Sequence, residues 1–386
     1  MNKLYSFYTA RNIIVGCNSL NQIGSSLKLS GVKRAGVVTD QGILKAGISA
    51  ELEKILRDSG IVFEVFPDVL PEPPLENIER LANKMREKRF DILIGIGGGS
   101  SLDVTKLVSA TFTNDQPLEE YFGIDRIKNR GVPTVLVPTT AGTGSEVTPN
   151  AIVTISEQWR KAGIVSRHLL PDYAVLDPSL TISLPPASTA ATGIDALIHC
   201  LESYIGKKAN PLSDTFALEG IRLISAAIHR TYTDGQDLES REKMLLGSMY
   251  GGMALTSAGT AAVHALAYPI GARYGIPHGI ANSMLLVPVL EFSLDSCSER
   301  LSAVADVMGV DSSSMGNVEK AEWVLGRLKA LICDLRIPDS LKPFGCEESH
   351  LDDLSAAASE VKRLLDNNPK AMSLRDIKNI YRRLLG

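Results

Sequence analysis

At 386 residues the chain is long enough for two domains with separate cores. A formal net charge of -4 and an aromatic share of 5% leave no basic footprint and few base-stacking rings, which excludes nucleic acid and an anionic membrane surface as expected partners. The five cysteines, Cys17, Cys200, Cys297, Cys333 and Cys346, are scattered, odd in number and without a CxxC pair, so they are expected to be free thiols in a reducing cytoplasm.

The N-terminal segment MNKLYSFYTARNIIVG has no apolar signal-peptide core, and no stretch is read as long and apolar enough to span a bilayer. The first half alternates short β-branched runs with helical patterns, which predicts a mostly parallel sheet covered by helices. Strands are expected at 12–15, 35–39, 62–66, 92–96, 134–137 and 173–176, with helices between them such as 75–88 and 102–110. From Pro185-Pro186 onward apolar residues recur at three- and four-residue spacing and β-rich runs nearly vanish. Helices are expected there at 188–204, 213–231, 241–255, 280–290, 298–308, 318–331, 350–366 and 374–384, with one more pattern beginning at His264. The fold class is therefore an α/β N-terminal domain, 1–185, followed by an all-α domain, 186–386.

Two turns in the first half suit a phosphate-bearing ligand. The run DILIGIGGGSSLD, Asp91 to Asp103, is an apolar strand, a glycine turn and a helix start. Gly97, Gly98, Gly99 and Ser100 would let backbone N–H groups approach a diphosphate at the positive end of the helix. The competing reading is a crowded strand-to-helix turn; the third fingerprint glycine is Ser100 here, so the motif is not a standard dinucleotide one. Asp40, at the end of an earlier strand, is read either as a carboxylate for adenosine ribose hydroxyls, which would favour NAD over NADP, or as a helix cap. The order is unusual, since Asp40 precedes the glycine turn. The segment from Pro138 to Glu146 packs Thr139, Thr140, Thr143 and Ser145 among glycines, as a second donor-rich loop or an ordinary flexible one.

The second half carries metal-type ligands. Asp195 and His199 are four residues apart in a run without Gly or Pro, so on a helix they stand one turn apart on the same face. His264 begins a helical pattern, and His278 lies in a turn between Pro277 and Gly279. One carboxylate and three imidazoles suit a borderline divalent cation, and Fe(II), Zn, Co, Ni and Mn all remain acceptable.

These motifs together resemble the iron-containing, group III alcohol dehydrogenases over nearly the whole chain. The resemblance rests on GGGSSLDVTK (Gly97 to Lys106), PTTAGTGSEVT (Pro138 to Thr148), Lys161, LDPSLTISLP (Leu176 to Pro185), GIDALIHCLESYI (Gly193 to Ile205) and HALAYPIGARYGIPHGIANSMLLVPV (His264 to Val289). It implies a dehydroquinate synthase-like architecture with a Rossmann-like N-terminal domain, in which Asp40, the glycine turn, Asp103, Thr139, Thr140, Thr143, Ser145, Lys161 and Leu180 surround NAD(H). It also implies Asp195, His199, His264 and His278 as ligands of a divalent metal, Fe(II) with Zn as the alternative. His278 and Tyr268 are expected at the reacting centre. The implied activity interconverts a small alcohol (a primary alcohol, a diol or a hydroxy acid) with its aldehyde or ketone, in a cytoplasmic homodimer or larger homo-oligomer.

Three positions depart from the family pattern. Tyr268 stands where many members have a further histidine, Pro71-Glu72-Pro73-Pro74 replaces a PNP turn, and Gly16-Cys17-Asn18-Ser19 alters a GxGA turn. Cys200 adjoins a candidate ligand but is expected to face another side of its helix as a small apolar residue. The alternatives are an NAD- and metal-dependent lyase of the dehydroquinate synthase type and a catalytically silent nucleotide-binding sensor.

Overall fold

The computed structural model describes residues 4–155, 160–311 and 314–386. The β-branched runs of the first half become β1 (Asn12–Val15), β2 (Arg34–Val38), β3 (Val62–Phe66), β4 (Ile92–Gly97), β6 (Thr134–Pro138) and β9 (Tyr173–Leu176). All pair in parallel in the order β1-β9-β6-β4-β2-β3. Helices α1 (Asn21–Leu29), α2 (Gln41–Lys45), α3 (Ile48–Asp58), α4 (Leu75–Arg86) and α5 (Gly99–Thr111) connect strands. Every residue of β4 is buried, as a central parallel strand covered on both faces requires. Its side chains alternate between two cores: Ile92, Ile94 and Ile96 pack with Ile23 and Leu27 of α1 and with Leu52 and Leu56 of α3, while Leu93 joins Ile78 and Leu81 of α4 and Val104 and Leu107 of α5.

Helix α4 shows the driving pattern. Leu75, Ile78, Leu81, Ala82 and Met85 are buried at helical spacing, and each larger side chain contributes roughly 1.5–3 kcal/mol by leaving water. Helix α5 begins three residues before the expected start, because the turn's last glycine already takes helical geometry. A second sheet, of order β5-β8-β7, was not expected: β5 (Gly123–Ile124), β7 (Asn150–Ile155) and β8 (Arg160–Val165). Buried Ala151 and Val153 of β7 join the α4 and α5 side of the core.

The described residues divide into two compact units, Tyr8–Leu184 and Pro185–Gly386, the latter including residues 4–7. The second unit is helical: α6 (Pro186–Ile205), α7 (Pro211–Thr233), α8 (Leu238–Ala258), α9 (Ala262–Tyr274), α10 (His278–Val307), α11 (Asn317–Asp334), α12 (Leu351–Ser359), α13 (Lys362–Leu365) and α14 (Leu374–Arg383). Pro186 opens α6, and Asn210 with Pro211 and Ser213 builds a capping box for α7, both placements that leave orphan helix donors satisfied or absent.

Two helical expectations are corrected. The separate helices at 280–290 and 298–308 are one 30-residue helix, α10, which runs through Pro288. Its buried face continues through Ser293 and Cys297, where the Cys297 thiol donates to the Ser293 carbonyl at 3.2 Å. The expected helix at 350–366 is instead α12 and α13, interrupted where Val361 leaves helical geometry at ψ 49. By length and composition α10 is also apolar enough to cross a membrane, unlike the expectation that no stretch is. Of its most apolar window 56% is buried, the position of a core helix.

Candidate nucleotide cradle and metal centre

In the α/β unit β2 pairs directly with β4, Val38 opposite Gly95. Asp40 therefore comes alongside the glycine turn although it precedes it in sequence. Its Oδ1 caps α2, accepting from the N–H groups of Gly42 at 2.8 Å and Ile43 at 3.0 Å. Its Oδ2 accepts from the hydroxyl of Ser101, in the first turn of α5, at 3.3 Å. The cap thus occupies one carboxylate oxygen, and the other lies on the side of the turn.

Gly97 has φ 149, and a Cβ there would stand 2.6 Å from the Ser101 hydroxyl oxygen. A Cβ on Gly99 would stand 2.6 Å from the Thr143 methyl. Only glycine lets the 139–145 loop lie against the turn, and the Thr139 N–H donates to the Gly97 carbonyl at 3.0 Å. Gly98, the N-cap of α5, brings no side-chain cap, and no acidic residue stands in the first turn with Ser100. The helix end therefore keeps a field suited to an anion.

Behind the turn lies a buried polar cluster. One Asp103 oxygen accepts from the Ser145 hydroxyl at 2.5 Å and pairs with the Lys106 ammonium at 3.0 Å; the other accepts from the Ile152 N–H at 2.9 Å. The Lys106 ammonium also donates to the carbonyls of Ser145, at 3.1 Å, and Asn150. Asp103 and Ser145 are thus engaged with each other. Lys106 was missed in the sequence; its only signal is a charge inside an apolar helix pattern. Glu146 is buried and its Oε1 has no hydrogen-bond partner. Burial pushes its carboxyl up to about 7, against the pull of its own backbone N–H and of Lys106. Among the described residues Lys161 and Leu180 make no hydrogen bond to the turn. Lys161, on β8, pairs with Glu72, which adopts φ 49 between Pro71 and Pro73. Leu180 lies in a 3-10 turn, Pro178–Thr181, and packs in the core on the α1 and α3 side.

In the helical unit α6 runs without interruption from Pro186 to Ile205, which sets Asp195 and His199 one turn apart. Helix α9 brings His264 against them. One ligand atom from each of Asp195, His199 and His264 lies within 4.8 Å of the others, and all three residues are buried. The rings of His199 and His264 stack at 4.8 Å, and that of His278 lies 5.4 Å from His264. His278 is the first residue of α10 rather than part of a preceding turn. Its Nε2 stands 3.9 Å from Asp195 Oδ1, and its side chain, 27% exposed, is the open side of the group. Tyr268, on α9, places its ring 5.9 Å from that of His278.

Two further residues complete the centre and were missed in the sequence, although Asn282 stands one helical turn from His278 and Glu202 one from His199. The Asn282 amide donates to Asp195 Oδ1 at 2.6 Å and lies 3.1 Å from His278 Nε2. Glu202 faces His264 Nδ1 at 2.6 Å. Burial alone would push Asp195 up, but His199, His278 and His264 with the Asn282 hydrogen bond together hold its carboxyl below the ordinary carboxylate range. An anionic oxygen among imidazole nitrogens, with the amide oxygen of Asn282 buried and unpartnered nearby, is a donor set that fits a divalent first-row cation.

Comparison with known proteins assigns both halves. Residues 10–178 match the family model described as iron-containing alcohol dehydrogenase, and residues 189–385 match that for the C-terminal part of the Fe-containing alcohol dehydrogenase family. The chain is 39% identical to long-chain-alcohol dehydrogenase 1 of Geobacillus thermodenitrificans over 95% of this chain and 93% of that one. It is 30% identical to the NAD-dependent methanol dehydrogenase of Bacillus methanolicus, over 98% of this chain and 100% of that one. A solved 1,3-propanediol oxidoreductase superposes with a TM-score of 0.96 at 34% identity, over 99% of this chain and 100% of that one.

Proposed function

We propose that this chain, which belongs to the iron-containing alcohol dehydrogenase family, is an NAD(H)- and metal-dependent oxidoreductase that interconverts a small alcohol with its aldehyde or ketone. The observation that carries this reading is the buried convergence of Asp195, His199 and His264, with His278 at its open side. These four residues are the proposed metal ligands. When bound, a divalent ion, Fe(II) first and Zn as the alternative, supplies Lewis-acid polarisation of the substrate oxygen, and NAD(H) supplies or accepts the hydride.

The chain's own residues do the rest. Asp195 enters as an anion and the imidazoles as neutral donors, so a divalent site keeps net positive charge for a developing alkoxide. The Tyr268 phenol, beside His278, is proposed to relay the hydroxyl proton; full turnover in Tyr268→Phe would remove it from that path. Gly97, Gly98, Gly99 and Ser100 are proposed to hold the cofactor diphosphate, with Thr139, Thr140 and Thr143 as neighbouring donors and Asp40 on the adenosine ribose. Asp103 and Ser145 support the reading by tying the two turns together, and Lys161 and Leu180 are proposed to line the same cofactor. Residues 1–185 are thus taken as the nucleotide domain and 186–386 as the catalytic one.

Primary alcohols, diols and hydroxy acids form the proposed substrate class. A cytoplasmic homodimer or larger homo-oligomer is the proposed state, to be read by light scattering. The relatives named above give no support to the lyase or the sensor. The test is to strip the protein with chelator and follow NADH absorbance on a panel of alcohols after adding Fe(II) or Zn. Turnover is expected only in the reloaded enzyme, with net NADH formed; a stripped enzyme as active as the loaded one would overturn the metal's role.

A further inference from the structure

Helix α6 presents a third residue on the face that carries Asp195 and His199. Glu202 follows His199 by three positions, so the three side chains share one stripe. It is 1% exposed, and a buried carboxylate needs its acceptor capacity filled. The first turn of α9 fills it. Glu202 Oε2 accepts from the Ala261 N–H at 2.9 Å, and Oε1 from the Val263 N–H at 2.6 Å. Ala261 is the N-cap of α9 and has no side chain that could cap it. A carboxylate from another helix therefore does the capping, at the positive end of the α9 dipole.

The same Oε2 stands 2.6 Å from His264 Nδ1, and His264 is in the first turn of α9. Both Glu202 oxygens already act as acceptors toward backbone N–H groups, and the Oε2 contact with Nδ1 continues that pattern. The proton between them must then sit on Nδ1, and a neutral imidazole has only one. His264 Nε2 is left as a lone pair, and it is the atom turned toward the cluster, 3.7 Å from Asp195 Oδ1. We propose that Glu202 is a positioning residue: it holds His264 in the Nδ1–H tautomer and orientation in which Nε2 is the metal-binding atom, and it does so while capping the helix that carries this histidine. This rests on the metal reading above. The position of the 258–261 segment has separate support, since the Asn367 amide donates to the carbonyls of Ala258 at 2.9 Å and Thr260 at 3.0 Å. Loss of the Glu202 charge therefore leaves that segment anchored.

The experiment has two arms on the full-length protein. In the first, the metal-stripped wild type is labelled with 15N-histidine and its imidazole shifts are read at about pH 8, above the ordinary imidazole range; His264 is assigned by its disappearance in His264→Gln. Protonation at Nδ1 alone is expected, and a proton on Nε2, whether alone or beside one on Nδ1, overturns the proposal. In the second, Zn and Fe(II) affinities of wild type and Glu202→Gln are compared by chelator competition, beside the melting temperature of each stripped protein. The amide presents an NH2 group where the carboxylate had only acceptor oxygens, so Glu202→Gln is expected to bind metal about 10–100-fold more weakly. Wild-type affinity in a folded Glu202→Gln, with stability alone reduced, would make Glu202 a cap only and overturn the proposal. A wild type that binds neither ion sinks the metal reading, whereas the tautomer arm still decides the role of Glu202.

Discussion

Asp40 divides its two carboxylate oxygens between a helix cap and the side of the glycine turn, and this division dictates which substitution is informative. Asparagine caps a helix about as well as aspartate but carries no charge to repel a 2′-phosphate. Asp40→Asn is therefore expected to raise the ratio of kcat/KM with NADP to that with NAD by about tenfold, the equivalent of roughly 1.4 kcal/mol, without a shift in melting temperature. A wild type that already prefers NADP would end this role. Residues at this scale were legible to different depths. Asp195 and His199 declare themselves by helical spacing, and His264 and His278 by their chemical type. Glu202 and Asn282 stand one helical turn from His199 and His278, but their roles depend on His264 and Asp195, 62 and 87 positions away, and periodicity carries no information about that pairing.

At the scale of elements, the contact of α6, α7 and α8 is set by small residues. A Cβ on Gly220 of α7 would stand 2.5 Å from the Cys200 sulfur and 3.2 Å from the Gly247 carbonyl oxygen. Cys200 is buried and burial pushes its thiol far up, so it serves as a small apolar filler, as its helix face suggested. Gly220→Ala improves helix propensity by about 1 kcal/mol but overfills this crossing. A net loss of about 1–3 kcal/mol in denaturant unfolding is expected, with much of it restored in Gly220→Ala/Cys200→Ala. An equally stable single variant would show that the helices separate freely. Most elements could be read from pattern, since long amphipathic helices and β-branched runs repeat their signal several times. The β7 and β8 strands escaped despite an alternating burial pattern in β7, because nothing local distinguishes a short second sheet from a loop. The α10 helix was split in two because its buried small polar residues interrupt the apolar periodicity.

For the molecule as a whole, the alternation of strand and helix gave the parallel sheet, and the loss of β-rich runs after Pro186 gave the helical half. Strand order was not legible. That β2 lies beside β4 depends on pairing between remote segments, and this adjacency resolves the reversed order of Asp40 and the glycine turn. The α/β unit also carries a charge problem that affects its stability. Burial raises the Glu146 carboxyl from 4.5 to about 7, so the folded chain holds this proton more tightly than the unfolded one. Stability from this group is complete below pH 4.5 and declines as pH rises through about 7, by about 3 kcal/mol at roughly 1.36 kcal/mol per unit. Glu146→Gln is expected to flatten that part of the pH dependence of unfolding, and an unchanged slope would mean that Glu146 is ionised in the fold.

The stripe formed by Asp195, His199 and Glu202 on α6 makes the length of this helix an all-or-nothing quantity. A helix turns about 100° per residue, so one residue inserted or deleted between Asp195 and Glu202 would swing every later side chain about a quarter of the way around. Placed before His199, the change would take the histidine from the carboxylate that precedes it; placed anywhere in the span, it would take the cap from the helix that it seals. Side chains that face away from this stripe can be exchanged one at a time, but the residue count within it admits no drift.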